Sequence, residues 1–162
     1  MKKTIATLAL IFAFQGIFAQ NIDDIFNRYK DKEGAEFVSI PPFLITLGRL
    51  FMDKDDKDYR FIRGVNTVKT LDMEDCSSEV KENFLKEANK LNLSGYETLM
   101  QTREKGESVK LIAKMDEEAI RELIIMITGN GECGLTLIEG KLKKEDINMT
   151  MTDDKIMIDG RE

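Results

Sequence analysis

Beyond Gly95 the apolar residues of this 162-residue chain stop recurring every three or four positions and begin to alternate. A period of two is that of a half-buried strand, and a chain that keeps it through several short turns is committed to a hairpin-built sheet. Tyr96 to Arg103 is one extended segment, and a Lys105-Gly106 turn leads into the next. There Val109, Leu111, Ala113 and Met115 alternate with Lys110, Ile112 and Lys114. An acidic turn at Asp116–Glu118 precedes Ala119–Thr128, in which Leu123, Ile125 and Ile127 share a face. Its nearly unbroken apolar run marks a central strand covered on both sides. Gly129-Asn130-Gly131 supplies hairpin-turn residues, and Cys133, Leu135 and Leu137 alternate in a last strand ending at Gly140.

The first half has the other period. Ile22, Ile25, Phe26 and Tyr29 form a helical stripe behind Asn21, a suitable N-cap, and Gly34 ends that helix. Ala35–Ile40 reads as a strand, and Pro41-Pro42 opens a second helix with Leu44, Leu47, Leu50 and Phe51 on one side. Asp53–Arg60 reads as a charged connection and Val65–Leu71 as a second strand. Asp75, Ser77 and Ser78 are capping candidates for a helix carrying Val80, Phe84, Ala88 and Leu91. Lys143–Met151 reads as a short final helix with Ile147 and Met151 inward. The expected fold class is α+β, a largely antiparallel sheet of about six strands with a four-strand C-terminal meander. Its helices are expected mainly on one face. The first two strands are expected to run parallel through a right-handed crossover.

The N-terminus reads as an export signal. Lys2 and Lys3 precede an apolar run from Thr4 to Phe14, and Ala19 suits signal peptidase. A run of eleven residues is short for a spanning helix, which needs roughly 20. The expected organisation is a signal peptide over residues 1–19, one α+β domain over 20–151, and a charged tail over 152–162. A periplasmic or secreted product follows, with no stable membrane insertion after cleavage. Losing Lys2 and Lys3 moves the net charge from −6 to −8, which disfavours nucleic acid and anionic membrane as partners.

Several short motifs together resemble the small exported Bacteroidetes proteins catalogued as domain of unknown function 4252. They are Phe26 with Tyr29–Gly34, the strand leading into Asp75-Cys76, and Gly95–Met100 with Gly106–Val109. Gly140-Lys141-Leu142 with Glu145-Asp146-Ile147 completes the set. The resemblance implies a bacterial envelope or secreted protein with a strand-rich second half. It also implies proximity to genes of extracytoplasmic sigma factors and their inhibitors, and so a link to envelope-stress signalling. It carries over no functional residue.

Chemistry is limited by composition. The chain has no His, which removes Ser-His-Asp and Cys-His nucleophile systems and His-ligated zinc. The Asp spacing of residues 53–60 lacks the Gly and Glu of a calcium loop, and Met149 with Met151 is too sparse for a copper site. No pair of carboxylates is singled out for glycosidase work, and no glycine loop precedes a helix to cradle phosphate. No metal, cofactor or catalytic residue is assigned, and an enzyme is not expected. Cys76 and Cys133 have three readings: a disulfide, two free thiols, or a reactive thiol at Cys76 before a helix. The expected function is a protein-interaction module for an envelope protein; the alternative is a carrier sheltering an apolar or lipid ligand between sheet and helices. Mass spectrometry of the envelope fraction is expected to find a mature start at Gln20, and an intact Met1 in the membrane pellet would contradict it.

Overall fold

A computed structural model describes residues 21–54, 57–104, 106–129, 131–145 and 147. The expected signal segment, the charged tail, Asn130 and Met151 lie outside the described residues. The element order is α1 (Ile22–Tyr29), β1 (Glu36–Ile40), α2 (Pro42–Arg49), α3 (Lys57–Gly64), β2 (Val65–Asp72), α4 (Ser78–Ala88), then β3 (Tyr96–Glu104), β4 (Glu107–Met115), β5 (Ile120–Thr128) and β6 (Cys133–Leu142). The six strands form one antiparallel sheet in the order β1-β2-β6-β5-β4-β3. The α+β class, the six strands and the C-terminal meander follow the sequence pattern.

Local signals explain where the elements start and stop. Asn21 accepts from the Asp24 amide at 3.1 Å while Asp24 accepts from the Asn21 amide at 3.2 Å, a reciprocal cap on α1. Ser77 accepts from the Val80 amide at 3.4 Å and starts α4. Asp116 Oδ1 accepts from the amides of Glu118 and Ala119 and closes the turn between β4 and β5. Those backbone donors, with the Arg121 side chain, hold its carboxyl down at about 2. Gly34 has φ +81° and lies against the chain at Asp75, where an added Cβ would sit 2.3 Å from a backbone oxygen.

The expected parallel relation of the first two strands is corrected. β1 pairs with β2 antiparallel, from Glu36 opposite Asp72 to Ile40 opposite Val68. The reason is α3, which occupies part of the segment read as a charged connection. One helix between two strands returns the chain for a parallel partner, but two helices carry it out and back to the end it left. The short sequence KDYRFIRG hides this helix, because charged residues outnumber the two apolar side chains it turns inward, Phe61 and Ile62.

Alternation along the strands builds a core on each side of the sheet. On the first face Leu71, Ile112, Ile124, Met126, Leu135 and Leu137 pack under α1 and α4. There Tyr29 meets Phe84 edge-on at 5.4 Å, and Phe26 meets Phe37 at 5.7 Å. On the second face Val65, Leu111, Ala113, Leu123, Ile138 and Leu142 pack against Ile45 of α2, Phe61 and Ile62 of α3, and Ile147. The helices expected mainly on one face are instead divided, α1 and α4 over the larger core and α2 and α3 over the smaller one, because the strands turn apolar side chains to both faces. Ile147 is inward as expected. No helix among the described residues is long and apolar enough to cross a membrane.

Two glycines let α3 touch the sheet. A Cβ on Gly140 would stand 2.1 Å from the Gly64 carbonyl oxygen, and one on Gly64 would stand 2.6 Å from the Lys141 carbonyl oxygen. Gly140→Ala and Gly34→Ala are each expected to destabilise the chain by about 2 kcal/mol or more, read from denaturant midpoints. At Gly48 in α2, a Cβ would meet nothing within 4 Å. Gly48→Ala is therefore expected to stabilise by about 0.5–1 kcal/mol.

Candidate interaction surface

α2 is apolar nearly all round, a pattern that suits a helix with neighbours on every side. Among the described residues it has neighbours on one side only. Ile45 turns toward the second core, whereas Phe43, Leu44, Leu47, Leu50 and Phe51 face outward. Phe51 is 84% exposed, Leu50 75% and Phe43 68%, far from the burial usual for such side chains. The stripe visible in the sequence at Leu44, Leu47, Leu50 and Phe51 is therefore the outward one, and Ile45 is the residue that anchors the helix. An apolar patch of this continuity makes this face of α2 the candidate contact surface.

Polar groups at the end of α2 fix its position. Arg49 Nε donates to the Ile62 carbonyl at 3.1 Å, and the same guanidinium donates to the Val65 carbonyl. The side chain thus supplies donors to carbonyls where α3 ends and β2 begins, which have no helical partner of their own. Thr46 Oγ1 bonds back to the Pro42 carbonyl at 2.9 Å. The helix is held by its cation and by one buried isoleucine, leaving the opposite side open.

On the same face of the sheet, Val38, Thr70, Thr136 and Ile125 form a row across four strands, each opposite the next in register. Val38 is exposed on β1, an edge strand; β3 is the other edge. Thr70, Thr136 and Ile125, with Ile127, line an open groove of about 290 Å³. That volume is at the lower limit for small-molecule sites, which run from about 300 to 1,000 Å³.

Cys133 also borders this groove, whereas Cys76 does not. Both are free thiols buried in the first core. The backbone connects them: the Met73 amide donates to the Cys133 carbonyl at 2.8 Å, and the Cys76 amide donates to the Met73 carbonyl at 3.1 Å. Burial pushes the Cys133 thiol up to about 11, and it also raises that of Cys76 despite the opposing charge of Lys81. Thiols held protonated in this way are poor nucleophiles. The helix after Cys76 takes Ser77 as its cap, so Cys76 stands outside its first turn.

The strands also gather a polar group that the sequence did not single out. Tyr96 donates to Glu122 Oε2, and Lys114 lies 3.2 Å from Glu122 Oε1 and 5.5 Å above the Tyr96 ring. Burial, then the hydrogen bond to Glu122, raise the phenol well above its ordinary range. Glu139 stands opposite Glu122 in register and accepts from Thr67 at 2.6 Å. Register counting would have revealed this pair of carboxylates, but each is taken by a structural partner. A basic cleft of about 420 Å³ beside α3 holds Arg60, Arg63, Lys141 and Lys143, of which the lysines already pair with Glu118 and Glu145. Among the described residues, no group of three or more His, Cys, Asp or Glu gathers as a metal site would require.

In comparisons with known proteins, the family described as Domain of unknown function (DUF4252) matches residues 29–150. No curated protein and no solved structure matches the chain.

For the cysteines, thiol labelling of the native, unreduced chain is expected to be slow, and unfolding without reductant is expected to release two labelling sites. A count of zero after unfolding would establish a bridge between Cys76 and Cys133.

Proposed function

The chain belongs to the domain-of-unknown-function family just described, which brings no activity with it, and we propose from its own surface that it is a non-catalytic protein-interaction module of the bacterial envelope. The observation that carries the reading is the outward face of α2. Five large apolar side chains share one face of a helix whose other face is anchored by Ile45 and Arg49. A docking surface needs both properties, apolar area to release water and a rigid support that limits the ordering cost.

Two further features support interaction over catalysis. The polar side chains with chemical potential, Tyr96, Glu122 and Lys114, spend their hydrogen bonds on one another. The two thiols are buried and protonated. The carrier alternative draws less support, since the groove lined by Ile125 and Ile127 is open and small for a lipid chain. The resemblance to exported proteins encoded near extracytoplasmic sigma factors is associational support for a link to envelope-stress signalling.

Affinity capture from envelope extracts tests the reading. The Phe43→Lys and Phe51→Lys variants are expected to lose at least tenfold in captured partner while circular dichroism stays unchanged. Equal capture by both variants would remove α2 from the account. A stoichiometric lipid retained through purification, with nothing captured, would favour the carrier.

A further inference from the structure

We propose that the outward face of α2 is a two-fold self-association site, and that it takes the α2 of a second copy of this chain in antiparallel orientation. The inference rests on the reading of α2 as a docking face and names its partner.

Three observations favour a second copy. The first is the run of the stripe. It extends from Phe43 in the first turn through Leu47 to Phe51 just beyond the last, so an antiparallel copy meets apolar side chains along the whole seam. In a two-fold contact the same patch must serve on both sides, and a stripe centred on Leu47 meets that condition.

The second is charge. Pro41 stands at the N-cap of α2 without a side-chain hydrogen bond, and no acidic residue occupies the first turn. The partial positive charge of that end is left uncompensated. At the other end the chain continues into Asp53, and residues 53–58 carry four acids and two lysines. Within one copy Asp53 follows the negative end of α2, and Asp58 lies in the first turn of α3. Antiparallel pairing brings Asp53 of each copy toward the positive end of the other copy's α2.

The third is area. Phe43 and Phe51 at about 200 Å² each, with the three leucines, scaled by their exposures, offer on the order of 600 Å² per copy. Two copies would cover at most about 1,200 Å², above the roughly 1,000 Å² that a specific interface needs.

Sedimentation of the purified chain over a hundredfold range of concentration tests the proposal. The expected result is a dimer that Leu47→Lys converts to a monomer of half the mass with unchanged circular dichroism. Asp53→Lys is expected to weaken the dimer about three- to tenfold at low salt, and less at high salt. Leu47→Cys is expected to cross-link copies under mild oxidation, whereas Leu99→Cys on the β3 edge is not. A monomer at every concentration overturns the proposal, as does a dimer that survives Leu47→Lys. Unchanged affinity in Asp53→Lys overturns the antiparallel orientation. A monomer that binds phosphatidylethanolamine–phosphatidylglycerol vesicles through α2 overturns it in favour of lipid. A monomer in which deleting residues 148–162 speeds hydrogen exchange in α2 overturns it in favour of the chain's own tail. If the chain is monomeric but Phe51→Lys still loses an envelope partner, self-association alone fails; if nothing is captured either, the docking reading fails with it.

Discussion

β6 is the strand on which the rest depends. It pairs with β2 on one side and β5 on the other, so it joins the helical first half of the chain to the meander of the second. Leu135 and Leu137 point to one face and Ile138 and Leu142 to the other, all of them buried. A sheet with apolar side chains on both faces cannot rest against a single layer of helices. The fold therefore divides its helices, with α1 and α4 over one face and α2 and α3 over the other.

The two layers are held by different means. Over the first face, Phe26, Tyr29 and Phe84 fill a broad contact, and salt bridges from Arg28 to Glu87 and from Lys69 to Asp23 lie at its margin. Exposed pairs of that kind add little by themselves. Over the second face, α2 and α3 are short and bury few side chains each. Close approach at Gly64 and Gly140, with the Arg49 bonds to the Ile62 and Val65 carbonyls, replaces broad burial. A layer fixed in this way can keep an apolar exterior without losing its place on the sheet. That separation between what anchors α2 and what α2 displays is the structural basis of the proposed interaction.

Several polar side chains among the described residues serve the architecture. Asp116 caps a turn, Tyr96 and Glu122 tie β3 to β5 through a hydrogen bond, and Glu139 receives Thr67 of β2. Among the described residues, every buried side-chain nitrogen or oxygen has a hydrogen-bond partner. A buried polar group without a partner costs free energy, and such a group is often the sign of a catalytic site. The exposed apolar side chains of α2 are the ground on which the interaction is proposed.

The sequence by itself determined the period of each half, the cap at Asn21, a set of cap candidates from which the structure takes Ser77, the four-strand meander and the apolar character of α2. These are local properties, set by side-chain spacing within a few residues. Tertiary structure alone decided that β6 enters between β2 and β5, because strand pairing across some seventy residues leaves no local trace. It decided the antiparallel relation of β1 and β2, since α3 has too few apolar side chains to be seen before it packs. It also decided which side of α2 faces water. Two apolar sides compete for one core, and only the geometry of Ile45 and Arg49 against α3 and the sheet settles the competition.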